Sequence, residues 1–181
     1  MLLKFNLKKY DCKFVRFISA ILPSRATQKS DLLLFVCTSI VIARVLFILK
    51  NLSNLQFKCL GDIVGLDFVF NKPRFAVSYN LLSIKYNRRV RVLSFLELAG
   101  ISSSVSEVFQ SSNWLEREVW DLYGLFFDKH ADLRRILTDY GFEGHPLRKD
   151  FPLEGLFDSF YSLIGEGVVH ELLAVSVANK K

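Results

Sequence analysis

Apolar side chains recur along this chain in two rhythms, and their succession predicts a mixed architecture. Residues 32–49, LLLFVCTSIVIARVLFIL, form an apolar run interrupted by Thr38-Ser39 and by Arg44. Its length reaches the lower edge for a membrane span, yet an arginine inside it is costly in lipid. A buried strand over about 31–37, followed by a helix that Thr38 or Ser39 caps, accommodates both polar interruptions. Such a helix places Ile42, Val45, Leu46, Leu49 and Leu52 on one face. A membrane span over 32–49 remains the alternative.

Beyond this run the period drops to two. A strand is expected near 63–70, a turn at Asn71-Lys72-Pro73, and a strand with Phe75, Val77 and Tyr79 on one side. A further strand alternates Val90 and Val92 with Arg89, Arg91 and Leu93, with Arg88 in the turn before it. One face of such a sheet is buried and the other partly wet, as in antiparallel pairing. Asn113 with Glu116 three residues on has the form of a helix-opening capping box. The helix it would open carries Leu115, Val119 and Leu122 on one stripe, with Trp120 and Tyr123 beside it, and Gly124 as its stop. Only a helical turn or two is expected afterwards, near 131–138. The fold class is therefore α+β: one domain over 31–125, its mixed or antiparallel sheet covered by helices. A mostly irregular tail, 126–181, follows, and so long an irregular stretch points to a bound partner.

Composition sharpens this picture. The 181 residues are 51% hydrophobic and 14% aromatic, enough for a real core. The mean hydropathy of +0.26 argues for a buried partner surface or a span. The net charge of +6 is uneven: residues 1–60 hold ten Lys/Arg and two Asp/Glu, net +8, whereas 61–181 hold fourteen and sixteen, net −2. The basic excess lies in an N-terminal arm, residues 1–30. There Leu7, Tyr10, Phe14, Phe17, Ile18 and Ile21 share a helical face opposite Lys9, Lys13 and Arg16. Docking onto protein is the expectation for that helix, with lipid contact as the alternative. Cys12, Cys37 and Cys59 form no Cys-x-x-Cys pair, which removes clustered metal and iron–sulfur ligation.

Candidate chemistry centres on 128–153. Asp128, His130, Asp132, Asp139, Glu143, His145 and Asp150 supply metal-ligating types, but no helical ligand pair spaces them, and each carboxylate has a basic neighbour. Glu116, Glu118 and Asp121 resemble an exposed or interface ion network more than an acid–base pair. Nucleophile elbows and phosphate loops are absent. The NRRVRV strand is basic, but the domain carrying it is net acidic, so nucleic acid is not expected. A soluble metal-dependent or acid–base enzyme using His130 and His145 remains the alternative function.

Residues 113–153, NWLEREVWDLYGLFFDKHADLRRILTDYGFEGHPLRKDFPL, resemble the signature region of a known family. This is the thirty-kilodalton subunit of respiratory complex I, also called NADH dehydrogenase subunit 9 or, in bacteria, the C subunit. The likeness extends back more weakly through RFAVSYNLLSIKYNRRVRV and CLGDIVGLDF to about residue 49. Ala131 stands where the family has Pro, Phe142 where it has Trp, and the tail diverges after Leu153. The resemblance implies a non-catalytic subunit of the peripheral arm that braces the forty-nine-kilodalton subunit beside the quinone site. It implies that FMN, iron–sulfur clusters and ubiquinone lie on other subunits, and that membrane association comes through the complex. The implied location is the matrix side of the mitochondrial inner membrane, or the cytoplasmic face of a bacterial membrane. Arg117, Arg134, Arg135, His145, Arg148, Lys149 and Asp150 are the expected polar contacts of that interface, with Pro146, Phe151 and Pro152 stiffening or anchoring it. Trp114 and Trp120 are further candidate anchors. The two prolines are expected to keep 141–153 extended.

Overall fold

A computed structural model describes the backbone of residues 25–29, 32–97 and 100–173, with side chains from Leu34 onward. The amphipathic helix expected at 1–22 and the last residues, 174–181, lie outside the described residues. A five-stranded sheet is built from β1 (Arg25–Lys29), β2 (Leu32–Thr38), β3 (Cys59–Asp67), β4 (Phe75–Ser83) and β5 (Arg88–Leu96), in the order β1-β2-β5-β4-β3. The β2–β5 pair is parallel and the other three are antiparallel, so the sheet is mixed. Helix α1 (Ile42–Asn51) carries the chain from β2 across the sheet to the opposite edge at β3.

The apolar run 32–49 resolves into strand β2 and the start of α1. No helix among the described residues is long and apolar enough to cross a membrane. Ile42, Val45, Leu46 and Leu49 are buried at the i, i+3, i+4, i+7 spacing that one helix face requires. The cap differs from expectation. Val41 opens the helix without a side-chain bond, because Thr38 ends the strand and its carbonyl accepts the Val41 N–H at 3.2 Å.

β4 is an interior strand between β5 and β3, and Phe75, Val77, Tyr79 and Leu81 are buried on its core side. Val90 and Val92 face the same core from β5 while Arg89 and Arg91 are exposed, as their alternation requires. Arg88 is the first residue of β5 rather than part of the turn. β3 begins at Cys59, earlier than expected, with a register shift between Leu60 and Asp62. Burial pushes the thiol of Cys37 up to about 12, so it is an inert core group.

A short parallel ladder joins β6 (Ile101–Ser103) to β7 (Phe126–Asp128). Between them helix α2 (Ser112–Tyr123) lies against β3, where Tyr123 packs on Gly65. Gly124 ends α2 in the left-handed region at φ 69°, as a glycine permits. The expected helical turn near 131–138 is absent, and the backbone there is irregular. Farther on, β8 (Phe157–Ser162) and β9 (Gly167–Leu172) form a separate antiparallel hairpin.

Candidate functional site: a strap across the end of the second helix

An α-helix leaves its last four carbonyls without partners inside the helix. In α2 these belong to Trp120, Asp121, Leu122 and Tyr123. The Gly124 N–H reaches Trp120 O at 2.8 Å, and the segment His145-Pro146-Leu147-Arg148 serves the other three. His145 Nδ1 donates to Asp121 O at 2.9 Å, Leu147 N to Leu122 O at 3.1 Å, and Arg148 Nε to Tyr123 O at 2.6 Å. A residue without an N–H, Pro146, sits between donors and forfeits nothing. The cationic Arg148 also lies at the negative end of the helix dipole.

Asp121 anchors the strap's first half. Its side chain is fully buried, and a carboxylate in the last turn of a helix opposes the dipole, so it needs strong partners. One oxygen accepts the N–H groups of Ile136, Leu137 and Thr138 at 3.2, 2.9 and 3.0 Å. The other accepts the Thr138 hydroxyl at 2.7 Å and Arg135 Nη1 at 2.9 Å. Burial alone pushes this carboxyl up, but these donors outweigh it and hold it well below the ordinary carboxylate range. This fan of amides replaces the helical turn expected near 131–138. Three consecutive N–H groups turned toward one carboxylate cannot also serve a helical ladder.

A third anchor ties the strap to the sheet. Arg74 grips Asp67 through two 2.7 Å bonds and Asp150 at 3.1 Å, while the Lys149 N–H donates to Asp67 at 3.0 Å. The Arg74 bonds hold Asp67 below its usual pKa against the effect of burial. The aromatic ring of Phe75 lies beneath both Arg74 and Arg148, with centroid distances of 4.8 and 5.5 Å.

Glu116, the expected capping residue, points inward instead. Ser111 opens α2 without a side-chain bond, and the fully buried Glu116 accepts Val105 N at 2.7 Å and Ser104 Oγ at 2.6 Å. Burial raises its pKa, with the Ser104 and Val105 bonds opposing that rise. His130 Nδ1 accepts the Asp132 N–H at 3.1 Å, leaving Nε2 to donate toward Asn113 O at 3.3 Å, 3.7 Å from Glu116. Glu116 and Asp121 are therefore buried hydrogen-bond hubs within the chain, where an exposed or interface ion network was expected; their burial corrects the exposed form of that expectation.

The sequence-predicted residues fall into two groups. Arg117, His145, Arg135 and Arg148 bond within the chain; Arg117 Nε donates to Arg134 O at 3.2 Å and its guanidinium lies over Trp114 at 4.9 Å. Arg134, Lys149 and Asp150 are exposed. Arg134 pairs with exposed Asp132 at 2.9 Å. Phe151 stacks on Phe142 with centroids 5.9 Å apart. Trp114 is largely exposed and Trp120 half-buried. Pro146 and Pro152 are half-buried and do not hold the segment straight. Turn bonds Arg148 N to His145 O, Phe151 N to Arg148 O and Gly155 N to Pro152 O coil it instead. His130 and His145 bond to carbonyls eight residues apart on α2, about 12 Å along the axis, so they do not converge. Among the described residues no group of His, Cys, Asp and Glu is arranged to hold a metal. Asp67, Arg74 and the roles of Asp121 and Glu116 were not foreseen. Their signal is a carboxylate at a buried strand or helix position with a basic residue within reach.

Residues 36–156, spanning every anchor above, match the family described as the 30 kDa subunit of the respiratory-chain NADH dehydrogenase. The chain belongs to this family. Its relatives include NADH-ubiquinone oxidoreductase subunit 9 of Reclinomonas americana, 45% identical over 94% of this chain and 83% of the relative. The C subunit of the NADH-quinone oxidoreductase of Paramagnetospirillum magneticum is 51% identical over 72% of this chain and 65% of its own length. A mitochondrial relative from Candida albicans, NADH dehydrogenase [ubiquinone] iron-sulfur protein 3, is 42% identical over 92% of this chain and 61% of its own length. Among solved structures, a trypsin-resistant fragment of Nqo5 superposes with a TM-score of 0.55 at 26% identity, over 67% of this chain and 97% of the fragment. A chain of the archaeal membrane-bound sulfane sulfur reductase, 21% identical with a TM-score of 0.66, shares the fold. The β8–β9 hairpin lies beyond the family match.

Proposed function

We propose that this chain acts as a scaffold subunit of the peripheral arm of NADH:ubiquinone oxidoreductase, bracing the quinone-reducing module against its forty-nine-kilodalton neighbour. In this role it contributes no catalytic residue and binds no flavin, cluster or quinone; it supports electron transfer by holding other subunits in place. The observation that carries the reading is the use made of the charged groups in the matched region. Asp121, Arg135, His145 and Arg148 are all engaged in fastening an irregular strap to a helix end, and family membership says in which complex a fastened strap would serve. The interface would then divide by exposure. Arg134, Lys149 and Asp150 meet the neighbour, whereas Arg117, Arg135, His145, Pro146, Arg148, Phe151 and Pro152 shape the surface from within. Rigid presentation lowers the ordering cost of docking, and charge pairs at its rim set orientation more than affinity. The proposed location is the matrix face of the mitochondrial inner membrane.

Mild solubilisation of membranes followed by native separation tests this role. The chain should migrate with NADH dehydrogenase activity at one copy per complex. A chain recovered only as a free protein, with the activity migrating elsewhere, contradicts it.

A further inference from the structure

The strap and the β8–β9 hairpin enclose a cleft of about 490 Å³. Its walls are aromatic, from Phe142, Phe151 and half-exposed Phe157, and its rim carries Asp139, Glu143 and Glu154. Glu143 and Glu154 have no hydrogen-bond or ion-pair partner among the described residues. The hairpin beside the cleft extends the same character. Residues 150–173 contain five carboxylates, Asp150, Glu154, Asp158, Glu166 and Glu171, and no Lys or Arg. Phe160, Tyr161, Val168, Val169 and Leu172 are exposed on it, and Leu163 and Ile164 stand out at its tip.

A lone two-stranded hairpin is marginally stable in water, and a contiguous exposed apolar surface marks a contact site. What distinguishes this one is its sign: carboxylates flank the aromatic faces, and although Arg74 holds Asp150, Glu143 and Glu154 have no cation to answer them among the described residues. Aromatic rings attract cations through their quadrupole, and unpaired carboxylates reinforce that attraction where water is displaced. Arg135 already illustrates the preference within the chain, its guanidinium 5.8 Å from the Phe142 centroid.

We propose that this cleft is a socket for a Lys or Arg side chain on an apolar segment of another subunit of the complex, with the β8–β9 hairpin packing on the residues flanking it. The assignment rests on the scaffold role proposed above and adds to it the chemistry of the contacting segment. The carboxylates of residues 150–173 would also select against acidic partners.

Carbodiimide-driven labelling of carboxylates with glycine ethyl ester, applied to the intact solubilised complex and to the full-length chain purified by itself, tests the socket. Glu143 and Glu154 should label at least tenfold more slowly in the complex. The charge-reversed E143K/E154K chain should enter the complex at least tenfold less than wild type, and E143Q/E154Q about threefold less. Preserved exchange protection of the Ile136, Leu137 and Thr138 amides would show that these variants still fold. Full labelling of Glu143 and Glu154 in a complex that contains the chain overturns the socket while leaving the scaffold role intact; absence of the wild-type chain from the complex overturns the scaffold role itself. Carbodiimide cross-links from these carboxylates only to the basic residues 1–24 of the same chain, or only to a second copy, also overturn the proposal. Normal entry of E143K/E154K does so too.

Discussion

Replacing Asp121 by Asn should loosen the strap while leaving the sheet intact, and the size of the effect follows from the donors that converge on it. The amide oxygen can still accept the three N–H groups of 136–138, but as a neutral acceptor, and charge-assisted bonds are about twice as strong as neutral ones. The amide nitrogen must replace the oxygen that accepts Thr138 Oγ1 at 2.7 Å and Arg135 Nη1 at 2.9 Å. Thr138 can turn its hydroxyl to accept, whereas a guanidinium has only donors, so Arg135 loses its charged partner. A bond to a charged group is worth about 1.5–3 kcal/mol, and removing one partner of a buried pair costs about 3–5 kcal/mol. Arg135 is 26% exposed, which screens the pair and favours the lower end. A loss of about 3 kcal/mol corresponds to roughly a hundredfold faster hydrogen exchange at the Ile136, Leu137 and Thr138 amides. Exchange measured by mass spectrometry on the full chain reads this directly, with the amides of β4 as an internal reference. Asp132→Asn is the matched control. Its pair with Arg134 is exposed on both sides, so it should change exchange by less than about threefold. An Asp121→Asn chain with protection unchanged at 136–138, or with β4 exposed to the same degree as the strap, would refute the idea that this carboxylate fastens the strap locally.

Three further outcomes follow from the same anchors. Burial lowers the pKa of His145 from its usual 6.5, so its neutral form is the one that bonds Asp121 O. Its stabilising contribution is then complete above about pH 6.5 and lost as pH falls through the lowered folded value; His145→Asn, which keeps a donor but cannot titrate, should flatten the stability profile below about pH 6.5 in urea titrations. Gly124→Ala combines a left-handed backbone with a Cβ that collides with Arg148 and His145, and should cost more than the ~1–2 kcal/mol of the backbone alone; susceptibility to protease near 141–150 would report it. Arg74→Lys replaces the two-pronged grip on Asp67 by a point charge, and should destabilise by about 1–2 kcal/mol, partly offset by a retained single bond.

The parts of this architecture that were legible in the sequence are those set by local period. The Ile42–Leu49 stripe and the alternation of Val90 and Val92 with arginines required only that one face be buried, and they assumed that form. The helix caps and the strap were not legible, for a shared reason. Thr38, Asn113 and Glu116 have the right chemistry for local capping, but tertiary contacts claimed the alternatives. Strand β2 runs through Thr38, and a buried N–H at Val105, distant from Asn113 in sequence, recruited Glu116. The prolines of the strap predicted extension, yet the unsatisfied carbonyls at the end of α2 drew 145–148 into a turn. Those carbonyls are a property of the helix end, and no spacing within the strap reports them. The family resemblance, by contrast, lay in residues 113–153 themselves, which supply both the helix end and most of its fasteners.

In the proposed role the strap serves assembly rather than turnover. Arg148→Ala removes the bond to Tyr123 O and the charge over Phe75, so it takes away one of the strap's three bonds to the end of α2. The decisive measurement is the quantity of assembled complex together with NADH-to-quinone turnover per assembled complex in cells expressing that variant. Assembled complex should fall several-fold while the turnover number stays unchanged. Full assembly with a reduced turnover number would contradict that role.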